Sequence, residues 1–350
     1  MPLGGLRRAQ AELRSPGMDV AAWCSQSRVW VVAGKGGVGR TTVTAVLAAT
    51  AASAGLSVLV IELEGKRGLG GMFGCEGPVG YEAVALRGPR PEELATSGRP
   101  PAGAIWARRL TPDDALLEYL ADHGLQRVSK RLVSSGVVDV VATAIPGIRD
   151  VLVLGKVKQL ERTGVADMVI LDAPATGHAM TFLTSASGLL DAARAGPVRQ
   201  QAADVVELLR DPARCRVLPV TLPEEIPVSE TVESARLLRE RVGIHLGPVV
   251  VNCFEAGPRQ LRVPAAEAAR EAGAALDAVT LDALEAARTF RLRRLELVEE
   301  QIGRLARELP LAQLRLPRLD APSVRPAELE RLTEAMARAI DALPGPEGSP

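Results

Sequence analysis

The chain has 350 residues, 47% of them hydrophobic, and 42 Lys plus Arg balance 42 Asp plus Glu for a formal net charge of zero. That balance offers no global basic field for nucleic acid or anionic lipid, and the apolar content can fill one large α/β domain or two smaller ones. Cys24, Cys75, Cys215 and Cys253 are widely scattered and form no CxxC unit, so neither zinc nor a disulfide framework is expected, and each reads as a reduced, mostly buried thiol.

Residues 1–27 contain Arg7, Arg8 and Arg14 but no apolar core of signal-peptide length, which predicts a mobile tail and a cytoplasmic location. The apolar run 29–33 predicts a first buried strand. It delivers the chain into Gly34-Lys35-Gly36-Gly37-Val38-Gly39-Arg40-Thr41-Thr42. Glycines let this backbone curl closely enough to aim successive N–H groups at phosphate oxygens, and the following helix adds its positive N-terminal end. Thr41 stands where a phosphate loop places the hydroxyl that holds Mg²⁺. The loop departs from GxxxxGK[ST] at one position, since Arg40 replaces the lysine after the last glycine, while a lysine occurs early, at Lys35. Only five of the 42 basic residues are lysines, so a lysine at 35 points to a role for a compact ammonium.

A helix over about 40–54, a stop at Gly55 and a second strand over 56–63 come next. Thr44, Thr50, Ser53, Gly55 and Ser57 divide the apolar stretch 43–61, so no transmembrane helix is expected. Residues 65–71 read as a Gly-rich turn, and the Pro/Gly-rich stretch to about 103 as loop with short edge structure at most. A short strand is expected at 105–107 and helices at 113–125 and 128–136. Residues 168–171 form an apolar run ending in Asp172, as in a central parallel strand whose carboxyl end carries function. Strands at 217–221 and 248–252 flank a helix at about 229–242, a βαβ unit. From 281 the chain is helical, and its Leu295, Val298, Ile302, Leu305, Leu309 stripe reads as core in preference to a partner seam. A strand at 313–316 and a helix at 327–342 complete the chain.

The expected fold is α/β, of the P-loop NTPase type, with a mostly parallel central sheet flanked by helices and a helical insertion subdomain. A single domain spans 28–342, with helical insertions at about 112–160 and 181–211, between tails at 1–27 and 343–350.

Lys35 within GKGGVGRTT resembles the deviant phosphate loop KGGVGK[ST][ST] of the nitrogenase iron protein, partition ATPases, and the ArsA and guided-entry ATPases. Leu171-Asp172-Ala173-Pro174-Ala175-Thr176-Gly177-His178 is similar to the DTAPTGH segment of the last two groups, with Ala173 replacing a threonine. The resemblance implies ATP and Mg²⁺ as ligands. Gly34, Lys35, Gly36, Gly37, Val38, Gly39, Arg40, Thr41 and Thr42 would hold the phosphates, with Lys35 reaching across a dimer. Thr41 would ligate Mg²⁺ and Asp172 would do so through water, while Gly177 and His178 would respond to the γ-phosphate. Glu64 aligns with the acid that orients the attacking water, Glu62 being the weaker candidate. Asn252, the only asparagine in the chain, would read adenine, and Pro317 lies in a loop that would close over the base.

The same resemblance implies a Mg²⁺-dependent ATPase working as a nucleotide-gated dimer that handles a hydrophobic client or meets a peripheral membrane partner. Leu183, Leu189, Leu190, Val198, Val205, Val206, Leu208 and Leu209 could line a client groove or fill the core, and the core reading is preferred. Arg40 motivates slow turnover as a homodimer, or an alternative in which the chain is a weakly hydrolysing regulatory subunit of a heterodimer with an active homologue. A partition ATPase is disfavoured by the Thr176-Gly177-His178 segment and the neutral charge, so no nucleic-acid partner is expected.

Overall fold

A computed structural model describes residues 17–63, 68–91, 99–122, 147–174 and 176–344. The strands are β1 (Val29–Gly34), β2 (Val58–Leu63), β3 (Val84–Arg87), β4 (Ile105–Leu110), β5 (Met168–Asp172), β6 (Cys215–Thr221), β7 (Val249–Phe254) and β8 (Gln313–Pro317). They form one sheet in the order β3-β4-β2-β5-β1-β6-β7-β8. All neighbours run parallel except β3, an antiparallel edge strand on β4.

Helices cover both faces, which is why the central strands are apolar throughout instead of alternating. The helices are α1 (Val20–Cys24), α2 (Arg40–Ser53), α3 (Leu69–Met72), α4 (Pro112–Asp122), α5 (Ile148–Thr163), α6 (Thr176–Ala192), α7 (Pro197–Arg210), α8 (Glu225–Leu237), α9 (Ala265–Glu271), α10 (Ala278–Glu308) and α11 (Pro326–Asp341). Val29, Val31, Leu59, Ile61, Val169 and Leu171 face a core shared with α5, α6 and α7. The alternate residues, Trp30, Val32, Val58, Val60, Met168 and Ile170, face a second core with α2 and α11. Among the described residues no helix is long and apolar enough to cross a membrane.

Several boundaries differ from the sequence expectation. The packed body reaches back at least to Gly17, into the stretch expected as a tail. Trp23 and Cys24 on α1 are buried, and Trp23 stacks on Trp30 with ring centroids 4.7 Å apart. The Pro/Gly-rich stretch supplies its expected short edge structure as β3, whereas the short strand expected at 105–107 runs to Leu110. The helix expected from 229 starts at Glu225, and its last turn, Leu238–Val242, is a π-helix closed by Gly243 in the left-handed region. The helix expected over 128–136 and the outer part of the 112–160 insertion lie outside the described residues. Of the candidate groove residues, Leu183, Leu189, Val205, Val206, Leu208 and Leu209 are core, and Leu190 and Val198 pack partly buried against them. Val298, Ile302, Leu305 and Leu309 likewise pack into a third cluster beside β7.

Candidate nucleotide-binding site

β1, in the middle of the sheet, ends at Gly34, and five residues later Arg40 opens α2. Gly37 (φ 88°) and Gly39 (φ 87°) occupy the left-handed region that non-glycine residues avoid. Gly39 has a second constraint, because a Cβ there would lie 2.2 Å from Asn252 Nδ2. The Asn252 amide uses that space to donate to the Val38 carbonyl at 2.9 Å. Asn252 is buried, at a bulge where β7 loses register with β8 and Cys253 adopts φ 54°. Such a bulge re-aims the preceding side chain. Gly39 gives α2 no side-chain cap, which leaves first-turn amides for an anion.

Thr41 Oγ1 donates to Asp172 Oδ2 at 2.8 Å. Asp172 is fully buried at the end of β5, in register with Val32 and Glu62. Even-numbered residues of β2 and β5 face α2, so Glu62, also buried, stands beside Asp172 on the same side of the sheet. The Arg40 guanidinium turns to the segment after β5 and donates to the carbonyls of Ala173 and Pro174. Burial lowers its pKa, and the Asp172 charge opposes that shift. Lys35 donates to Glu230 on α8 of its own chain.

The fold thus brings the loop residues 34–42 together with Asp172 and Asn252. Pro317 ends β8 opposite Phe254, two residues beyond Asn252, and Arg318 N–H donates to the Phe254 carbonyl at 2.9 Å. Gly177 and His178 fall in the first turn of α6. Glu64 lies outside the described residues. Sequence reasoning missed Glu230, whose link to Lys35 spans 195 residues and leaves no local signal. It also missed the carbonyls that receive Arg40, since backbone acceptors have no residue signature.

These groups fit a magnesium nucleotide. The glycine cradle is one that Cβ atoms would fill or strain, and Thr41 and Asp172 are hard oxygen donors suited to Mg²⁺. Among the described residues no group of three His, Cys, Asp or Glu could hold a metal. A site of one hydroxyl and one carboxylate matches a cation that takes its other oxygens from water and substrate phosphates.

A glycine loop joining a central parallel strand to a helix, with its hydroxyl on the carboxylate of the adjacent strand, defines a P-loop NTPase. Residues 27–82 and 117–195 match the family described as anion-transporting ATPase. The chain is 34% identical over 248 residues to ATPase BagA of Mycobacterium tuberculosis, covering 68% of this chain and 69% of that one. It is 27% identical over 247 residues to a putative arsenical pump-driving ATPase of Halobacterium salinarum, covering 65% and 35% of the two chains. It is 32% identical over 155 residues to ATPase get3 of Schizosaccharomyces japonicus, covering 44% and 43%. The chain belongs to the ArsA anion-transporting ATPase family.

Proposed function

We propose that the protein binds ATP with Mg²⁺ and hydrolyses it slowly, in the cytoplasm, as a nucleotide-gated dimer that handles a hydrophobic client. The observation that carries this reading is the phosphate loop with its Thr41–Asp172 bond and with arginine at its lysine position.

Main-chain amides from Gly36 to Thr42 and the N-terminus of α2 bind the β- and γ-phosphates. Thr41 and, through water, Asp172 would hold Mg²⁺, which when bound neutralises charge on the phosphate oxygens. Glu64 orients the attacking water in line and accepts its proton late. Lys35 leaves Glu230 to reach the nucleotide of the other protomer, and Asn252 and Pro317 border the base. Gly177 and His178 transmit the presence of the γ-phosphate to α6, whose inner face belongs to the core that it shares with the sheet, α5 and α7. Arg40 carries a lysine's charge on a larger planar fork, which slows turnover by displacing the phosphates or by staying on its two carbonyls.

The same contacts favour a second reading, in which the chain binds ATP as the regulatory subunit of a heterodimer with an active homologue. Steady-state hydrolysis by the purified chain and by Arg40→Lys tests the first reading. Slow turnover that rises in the variant supports it. Fast turnover unchanged by the substitution refutes the role given to Arg40, and no turnover in either, with ATP binding intact, favours the regulatory subunit.

A further inference from the structure

Helix α10 has 31 residues, a length of about 46 Å at the α-helical rise, yet its buried residues, Val298, Gln301, Ile302 and Leu305, all lie near its C-terminal end. The rest carries a row of exposed apolar residues: Val279, Ala283, Ala286, Phe290 and Leu297. Phe290 is 69% exposed, Val279 79% and Leu297 59%. With Arg293 filling the gap, these residues alternate at spacings of four and three, the pattern of a coiled-coil seam. From Glu285 to Leu295 the opposite face is packed on its own chain, while Leu284, 46% exposed, lies one turn before that contact. Arg288 donates to Glu285 and to the Leu261 carbonyl, Arg291 pairs with Glu255, and Leu295 lies against Gly257.

We propose that a second copy of this chain covers the seam, forming an antiparallel helix pair with its two-fold axis level with residue 288. Antiparallel coiled coils place one heptad core position against the other, so Val279 then meets Leu297, Ala286 meets Phe290, and Ala283 meets Arg293. Large side chains fall opposite small ones. Arg293, the one charge on the seam, comes beside Asp282 of the other copy and has Glu296 three residues on in its own helix. A parallel pair would stack Arg293 on Arg293 and Phe290 on Phe290. Asp282 and Glu296 along the edge, with Glu300 next on the seam line, outnumber the exposed Arg293 and Arg294 and disfavour an anionic lipid surface. The contact requires no nucleotide, and isologous symmetry makes each interaction twice.

Sedimentation of the nucleotide-free full chain over a wide concentration range tests the proposal. The expected result is a concentration-dependent dimer that Phe290→Glu abolishes and Arg293→Glu weakens by about tenfold. Asp282→Arg added to Arg293→Glu restores most of the loss. A wild-type monomer at every concentration overturns the proposal, as does a dimer indifferent to Phe290→Glu or a double variant as weak as the single one. Co-sedimentation with phosphatidylcholine vesicles in place of self-association assigns the seam to a membrane and overturns it too. Calorimetry with Mg-ATP on the same variants separates this outcome from the nucleotide reading, because the seam substitutions leave ATP affinity unchanged and a chain that binds no ATP can still dimerise through α10.

Discussion

Lys35 is bonded to Glu230 of its own chain, although it is the residue proposed to reach another protomer. Lys35 cannot serve both partners, so closing the proposed nucleotide-bound dimer would have to break this pair. Both side chains are partly exposed, which limits the pair to about 0.2–1 kcal/mol. Glu230→Gln should therefore tighten dimerisation with a non-hydrolysable ATP analogue by at most about fivefold. Analytical ultracentrifugation in a Phe290→Glu background, where the α10 pair no longer holds the nucleotide-free chain as a dimer, checks this, and weaker nucleotide-dependent dimerisation in the variant would count against Lys35 as the bridging cation.

Gly39 and Asn252 form a coupled pair. Gly39→Ala places a Cβ on the Asn252 amide in a backbone conformation unfavourable to alanine, whereas Asn252→Ala removes the donor to Val38. Each substitution is expected to cost about 1–3 kcal/mol. Because Asn252→Ala removes the clashing amide, the double variant should lose less than the sum of the two. Urea denaturation of all four proteins measures the coupling, and strict additivity would mean that the clash is relieved by other movements.

Much of this site can be read directly from the chain, because a phosphate loop is local: its glycines, lysine and threonines are contiguous and the strand and helix around them follow from hydrophobic runs. Asp172 is nearly as visible, since it ends an apolar strand. Glu230 and the Ala173 and Pro174 carbonyls are not, because only the folded chain brings them to Lys35 and Arg40. The helix at Val20–Cys24 was missed for a similar reason. Its stability rests on Trp23 meeting Trp30, a contact that composition near a terminus does not announce. Strand β3 is legible only as short edge structure without bounds, because prolines and glycines flank it and pairing to β4 holds it.

Thr41→Val should leave the loop folded while removing the oxygen proposed to hold magnesium and the bond to Asp172. ATP alone should bind the variant within about threefold of wild type, and the gain in affinity that Mg²⁺ gives the wild type should disappear. Calorimetry with and without the metal distinguishes this from general damage, which would weaken both measurements.

Burial raises the Cys24 and Cys215 thiols from 9.0 to about 12, with Asp19 adding to the shift at Cys24 and Glu161 at Cys215, where Arg214 opposes it. A group bound more tightly to its proton in the folded state supports folding below its unfolded pKa. That contribution is then lost as pH rises from about 9 toward 12. Thermal stability should accordingly fall across that window, and less steeply in Cys24→Ala/Cys215→Ala once the lower baseline of the double variant is subtracted. In the native protein at neutral pH, neither thiol should react with a thiol reagent, whereas both react in denaturant.

Arg40 ties the phosphate loop to the segment that leads into α6, so its replacement should alter motion as well as chemistry. A lysine has one compact ammonium in place of a fork and is strongly hydrated, which makes it poorly suited to holding two adjacent carbonyls in a half-buried position. In the nucleotide-free protein, Arg40→Lys should speed amide exchange in the first turn of α6. With Mg-ATP bound, wild type and variant should show equal protection there if the guanidinium has already left the carbonyls for the phosphates. Turnover should rise by about tenfold, or ~1.4 kcal/mol of barrier. Faster turnover with unchanged exchange would place the defect of Arg40 in phosphate alignment alone. Faster exchange with unchanged turnover would make the tie to Ala173 and Pro174 a feature of the resting fold that hydrolysis does not have to overcome.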